Sequence, residues 1–285
     1  MPLSRTLFVC DEFTVGEFHC PPGDPAWSQE NSVGEGRHVV FPGTGVLIAQ
    51  RGRDPVVADP NHVVLYEDHQ TYRRELVSAR GDHCVFVIPS PAFLRQVAGD
   101  PDSEVRFDAA YAPADGTAYL LQHQTVRHLR SGEAPDPDVV RESFYEALRR
   151  VVGRVLPPVR VRRAGTERAH REAVEAAKAF LTVHAAELVH LDDVAAHVYL
   201  SPFHLSRIFK ERTGWTVHAY LTQLRLRAAL LRLDDGADLT TVALDHGFAS
   251  HAHLTDSFRS GFGATPSQVR GEARTFLEAM GTRTP

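Results

Sequence analysis

The chain has 285 residues, enough for two domains with a core each, and its formal net charge of −5 is not that of a nonspecific nucleic-acid coat. No stretch approaches the roughly 18 uninterrupted apolar residues of a membrane span, and Met1 to Phe13 carries early acids and no long apolar core, so neither a membrane span nor a secretory signal is expected. Three cysteines, Cys10, Cys20 and Cys84, are an odd set that suits no disulfide framework, and a cytoplasmic chain is the consistent expectation.

Charge is uneven along the chain. Residues 1–160 carry 16 Arg and no Lys against 22 acids, for −6, whereas residues 161–285 carry 15 cations against 14 acids, for +1. Any affinity of the second half for a polyanion must therefore come from local placement of charge. Lys178 and Lys210 are the only lysines.

From Phe8 to about Ser90, short apolar runs alternate with Gly, Pro, Asp and Asn, which predicts strands. Candidates are Val39–Phe41, Val46–Ala49, His62–Tyr66, Tyr72–Ser78 and Cys84–Ile88, with the last two joined through Ala79–Asp82 in a predicted hairpin. Many short strands at this spacing favour a small barrel or sandwich over a parallel sheet. Helices follow over Ala118–Arg130 and Val139–Leu156. In the second, Val140, Phe144, Ala147, Leu148, Val151 and Val155 recur at helical spacing, to cap the β layer or to carry a dimer interface. Pro157-Pro158, followed by Arg160, Arg162, Arg163 and Gly165, marks a linker. The chain thus divides into 1–156, a linker at 157–167, and an all-α domain at 168–275.

Ala169, Ala173, Ala176, Ala177, Phe180 and Leu181 trace the first helix of that domain, and an internal repeat follows. Leu191 and Val194 recur 48 residues on as Leu239 and Val242; Leu205, Phe209 and Gly214 recur 49 residues on as Leu254, Phe258 and Gly263. The single added residue falls around Leu200-Ser201 and Phe248-Ala249-Ser250, where a helix-turn-helix must turn. Between the copies, Val217, Tyr220, Leu221, Leu224, Ala228 and Leu231 trace a connecting helix of about 18 residues, roughly 27 Å long. A strut of that length places two recognition helices to enter successive major grooves, one duplex turn being roughly 34 Å.

Ser201 and Ser250 stand where an N-cap is needed. With Leu205, Ile208, Phe209, Leu254 and Phe258 buried, the outward faces carry Phe203, His204, Ser206, Arg207 and Lys210 in the first unit. In the second they carry His251, Ala252, His253, Asp256 and Arg259. These positions, with the two serines, form the candidate DNA-binding set. Arg207 is the candidate for a bidentate contact to guanine, while Lys210 and Arg259 suit phosphate. Phe203 is either a partly buried wedge or a thymine-methyl contact. His251 and His253 are two apart and face different ways on a helix, which disfavours a metal site. Asp256 is an acid on a surface meant for DNA; it can accept from cytosine, cap a neighbour or weaken the second unit's grip.

These residues, from Leu191…Val194-Ala195 through Ser201…His204-Leu205-Ser206-Arg207…Phe209-Lys210…Gly214 and Arg227-Ala228 to Gly247-Phe248…Phe258-Arg259…Gly263…Thr265-Pro266, resemble the DNA-binding domain of the AraC/XylS family of bacterial transcription regulators. The resemblance covers residues 168–275. It implies seven helices with two helix-turn-helix units, a protein that binds double-stranded promoter DNA, usually as an activator working with RNA polymerase, and an N-terminal cupin-like barrel that binds a small-molecule effector or dimerises. Asp256 departs from the family habit of a polar or basic reader there.

Within 1–156 the residues themselves leave the ligand open. Tyr66, His69, Tyr72 and Arg73 can supply polar contacts to an organic effector inside a barrel. Cys20 beside His19 and Cys84 beside His83 suggest a metal or thiol site, against the alternative that they are buried structural residues. A cupin-like enzyme is one competing function, against which stands the absence of a paired-His metal motif, H-E-x-x-H, G-x-S-x-G and a P-loop. The resemblance also implies an alkylation-repair regulator as an option, which needs a four-cysteine zinc site where this chain has three unpaired cysteines, and no cofactor is expected.

Overall fold

In the computed structural model, which describes residues 3–99, 105–132, 134–152 and 164–281, the N-terminal half opens with nine strands. They are β1 (Ser4–Val9), β2 (Phe13–Cys20), β3 (Asn31–Ser32), β4 (His38–Pro42), β5 (Val46–Gln50), β6 (Val56–Ala58), β7 (His62–Tyr66), β8 (Thr71–Leu76) and β9 (Asp82–Pro89). After α1 (Pro91–Ala98) come β10 (Tyr111–Pro113), α2 (Gly116–Arg130) and α3 (Pro137–Val152). The strands make two sheets, a six-stranded one in the order β1-β2-β9-β4-β7-β10 and a four-stranded one in the order β3-β8-β5-β6.

Period-two alternation sorts the larger sheet into two faces. Phe13, Val15, Val39, Phe41, Val63, Leu65, Val85 and Val87 pack under α1–α3, against Phe93, Phe144 and Leu148. The opposite face, including Val64 and Tyr66, meets Val46, Ile48, Val56 and Ala58 of the smaller sheet. At Gly16 the Phe86 ring lies across the strand where a Cβ would be, 2.3 Å away, so a side chain there would have to displace that ring.

Two expectations are corrected here. Among the described strands neither sheet closes on itself, so the cupin-like barrel becomes a helix–sheet–sheet sandwich, its larger sheet ending at β1 and β10. The hairpin through Ala79–Asp82 does not form: β8 pairs with β5 and β3, and β9 with β2 and β4, in different sheets. Strand adjacency in sequence favours pairing, but β8 buries Arg74 against Asp82 from the opposing sheet rather than sharing a ladder with it.

The C-terminal half is helical: α4 (Ala164–Val183), α5 (Leu191–His197), α6 (Pro202–Thr213), α7 (Val217–Leu233), α8 (Leu239–Asp245), α9 (His251–Phe262), α10 (Pro266–Arg270) and α11 (Ala273–Gly281). The first seven match the expected count; α11 adds Leu277 to a cluster with Leu121 of α2 and Ala147 of α3. Of the expected linker, residues 157–163 lie outside the described residues and 164–167 are the first turn of α4.

The halves are joined by buried polar contacts. Asp59, in the β6–β7 turn, accepts from His62 Nδ1 at 2.9 Å, Tyr220 Oη at 2.5 Å and Thr182 Oγ1 at 3.2 Å. Asn61 donates to the Tyr220 carbonyl and accepts from Arg227, which also donates to the Ala114 carbonyl and lies over the Tyr119 ring. Burial pulls the Arg227 guanidinium down to about 10, so it stays charged at neutral pH. Glu175 of α4 accepts from the Val57 amide and from Lys178, which is buried. Burial opposes ionisation of Asp59, but His62, Lys178 and its hydrogen bonds outweigh it and hold the carboxyl below its usual range. On the other flank, Tyr119 and Leu120 of α2 enter the core of the second helix-turn-helix, with Phe258 and Phe262. Gly116 there meets the Gly261 carbonyl so closely that no side chain fits.

Candidate nucleic-acid interface

Each helix-turn-helix is held by local chemistry that the repeat encodes. Val194 and Ala195 of α5, and Val242 and Ala243 of α8, are buried against the second helix of their units. Ser201 Oγ accepts from the His204 amide at 3.3 Å and Ser250 Oγ from the His253 amide at 3.1 Å, as N-caps. Gly214 and Gly263 end α6 and α9 in the left-handed conformation, their amides returning to the Lys210 and Arg259 carbonyls. Leu205, Ile208 and Phe209 anchor α6, each contributing about 1.5–3 kcal/mol through burial; Leu254, Phe258 and Phe262 anchor α9.

The turns differ. Gly247 has φ +73° in the second unit; the matching position in the first is Tyr199, at φ +56° and 96% exposed. Sequence reading passed over Tyr199, although its alignment with Gly247 marks it as a non-glycine residue in a left-handed turn. The added residue, Ala249, lies just before the Ser250 cap and donates its amide to His253 Nδ1 at 3.3 Å.

The outward faces carry the expected residues. Arg207, Lys210, His251, His253, Asp256 and Arg259 are exposed, and His204 and Ser206 are half-buried. Phe203 is 81% exposed and so is not a buried wedge. His204 brings its Nε2 within 3.3 Å of His170 Nε2 on α4, which ties this side chain to the scaffold. Arg207, Lys210 and Arg259 make no ion pair among the described residues, whereas Arg212 of the same helix is locked to Glu167 at 2.6 Å. Asp256 likewise has no ion-pair partner there. The connecting helix α7 has 17 residues, close to the 18 expected. The N-terminal half reaches the two units through α4, α7, α9 and α10, and leaves these side chains exposed.

In the N-terminal half the cysteine–histidine neighbours are split by the pleat. His19 and His83 pair across β2 and β9 with ring centroids 5.8 Å apart, while Cys20 and Cys84 are buried on the other face. Burial pushes both thiols up. Among the described residues no group of three or more His, Cys, Asp or Glu is placed to hold a metal ion. Of the four polar effector candidates, Tyr66 and Tyr72 face the space between the sheets, while His69 and Arg73 are exposed. No helix among the described residues is long and apolar enough to cross a membrane.

Residues 194–272 match the family model described as a helix-turn-helix domain. The chain is 30% identical over 103 residues to the regulatory protein PocR of Salmonella typhimurium, an alignment covering 35% of this chain and 34% of PocR. It is also 30% identical over 162 residues to the transcriptional activator RhaS of Pectobacterium carotovorum, covering 56% of each. The chain thus spans about a third of PocR and just over half of RhaS. Among solved structures it resembles a transcriptional regulator with an AraC-type DNA-binding domain from Chromobacterium violaceum, at 29% identity and a TM-score of 0.33, covering 39% of this chain and 96% of that one. Residues 194–272 thus form a helix-turn-helix domain of the AraC type, similar to those of PocR and RhaS.

Proposed function

We propose that this chain is a sequence-specific regulator of transcription, acting as an activator, in which α6 and α9 enter successive major grooves of promoter DNA. The observation that carries this reading is the pair of serine-capped helices whose cations Arg207, Lys210 and Arg259 stay exposed and without an ion pair among the described residues, while Arg212 of the same α6 is paired with Glu167. An arginine free of carboxylates can present its fork to guanine O6 and N7. Ser201 and Ser250 accept backbone amides and keep their hydroxyl protons for phosphate, as helix N-termini favour anions. Phe203 suits a thymine methyl, and Ser206, His204, His251 and His253 suit polar contacts. Asp256 makes the second unit the weaker reader.

The N-terminal half is the effector and dimerisation domain in this reading, and the active species is a cytoplasmic homodimer that contacts RNA polymerase. The name of RhaS, a transcriptional activator, supports activation, and the regulator relatives favour a binding protein over an enzyme.

The test is enrichment of bound sequences from a randomised duplex pool by the full chain, with and without Arg207→Ala. Two short motifs about one helical turn apart are expected, with discrimination lost at one position in the variant at a cost of about 1–3 kcal/mol. Unchanged discrimination removes Arg207 from the base-reading role; no enrichment by any form overturns the function.

A further inference from the structure

Between the two sheets lies a cavity of about 220 Å³, its mouth at the exposed Ser4 and Ser32. It is smaller than the roughly 300–1,000 Å³ of drug-sized sites, so it suits a molecule of on the order of ten non-hydrogen atoms. Its walls are mostly aliphatic and aromatic, with Val40, Ile48 and Phe86 among them. Two phenols face it: Tyr66, only 4% exposed, and Tyr72, with ring centroids 5.1 Å apart and no hydrogen bond to either hydroxyl among the described residues. His38 also lines it. Its Nδ1 donates to the Gly36 carbonyl at 2.9 Å, which leaves Nε2 as an acceptor. Neither hydroxyl is sealed from solvent, so both remain open to hydrogen-bond a ligand that enters the cavity.

The charge of the walls narrows the ligand further. Asp82 is the one carboxylate among the lining residues, and Arg74 neutralises it at 3.0 Å. Arg74 is itself covered by the Phe18 and Trp27 rings, at 4.7 and 5.1 Å. A carboxylate ligand finds no free cation, and an ammonium ligand finds an anion already paired; either would be desolvated without compensation. A sugar would bring more hydroxyls than the walls can satisfy.

The cavity is also wired to the helical half. Ala58 ends β6 and Val64 lies in β7, and both line the cavity; between them, Asp59, Asn61 and His62 hold Tyr220, Thr182 and Arg227. Tyr220 and Arg227 belong to α7, which joins the two helix-turn-helix units.

We propose that this cavity binds an uncharged, largely apolar small molecule carrying one or two hydroxyl or carbonyl groups, hydrogen-bonded by Tyr66 and Tyr72, and that the β6–β7 turn, which crosses between the sheets, passes its occupancy to α7. The inference rests on reading the N-terminal half as an effector domain.

Calorimetry on the full chain tests it with uncharged 2-naphthol, thymol and 4-phenylbutan-2-one, and with charged 2-naphthoate and 2-naphthylmethylammonium. At least one uncharged probe should bind saturably, one per chain, and at least tenfold more tightly than either charged one. Tyr66→Phe and Tyr72→Phe, each deleting a single oxygen, should weaken that probe at least threefold. The bound probe should also change affinity for the enriched duplex, and Asn61→Ala should abolish that change while leaving probe binding intact. Binding by none of the uncharged probes, equal binding by a charged one, or indifference to both tyrosine variants overturns the cavity assignment. Persistence of the coupling in Asn61→Ala overturns the route through the β6–β7 turn. If duplex enrichment succeeds while the probes fail, only this inference falls; if enrichment fails, the DNA-binding reading falls with it.

Discussion

Tyr220→Phe removes one atom from the joint between the two halves. The ring keeps its edge-on contact with Phe209, at 5.3 Å between centroids, and its approach to Trp215, so packing is unchanged. What is lost is a hydroxyl donated at 2.5 Å to the buried, ionised Asp59. A hydrogen bond to a charged group contributes about 1.5–3 kcal/mol. Asp59 keeps His62, Thr182 and the Asn61 amide as donors, so no carboxylate is left bare. The expected loss is therefore about 2 kcal/mol, roughly 30-fold in the equilibrium. Guanidinium unfolding of the full chain measures it, read from Trp215 in a Trp27→Phe background so that fluorescence reports the helical half. Tyr119→Phe is the control, because that hydroxyl has no hydrogen-bond partner among the described residues. A loss below about 0.5 kcal/mol, the usual scale of an inconsequential change, or one no larger than the control's, would refute the view that Asp59 is a structural anchor for α7.

Lys210→Ala should weaken binding to all duplexes alike and reduce the slope of log affinity against log salt by about 0.9, measured by titration at several ionic strengths; a sequence-dependent loss would move Lys210 to base reading. Gly116→Ala should cost about 3 kcal/mol in thermal unfolding, since the new methyl meets the Gly261 backbone carbonyl rather than a yielding side chain; near-neutral behaviour would mean that α2 and α9 do not pack this tightly. Burial, then the Lys178 charge, holds His62 below the ordinary imidazole range, with Asp59 and Glu175 opposing. Its contribution is therefore complete above about pH 6.5 and is lost as pH falls from there towards the lowered folded value. The melting temperature should drop between pH 7 and 5, less steeply in His62→Gln, with the remainder from His38 and His83, which burial also lowers; identical slopes would sink the assignment.

The helical half was legible in the sequence because its signals are local. Caps, left-handed glycines and i, i+3, i+4 burial all act within one turn, so Ser201, Gly214, Leu205 and Phe209 announced themselves, and duplication announced them twice. The N-terminal half was legible strand by strand but not in its pairing. Cys84–Ile88 reads as a strand from its own residues, yet nothing in Ala79–Asp82 says that the chain crosses to the other sheet there. The buried contacts Asp59, Asn61, His62 and Arg227 were invisible for the same reason: each is an unremarkable polar residue until a segment over a hundred positions away covers it. Lys178 was noticed only as a rarity, and its place beneath Tyr111 beside Glu175 could not be read from composition.

The way the β6–β7 turn plugs into α7 bears on how this protein can be taken apart. Double helix-turn-helix domains invite cutting at the linker and grafting onto another sensor. Here such a graft would carry Arg227 and Tyr220 to a surface where their acceptors are missing, and would strip Tyr119 and Leu120 from the core of the second unit. A working hybrid would have to move the Asp59–His62 turn and the first two turns of α2 along with the reader, so that the exchangeable part is larger than the part that touches DNA.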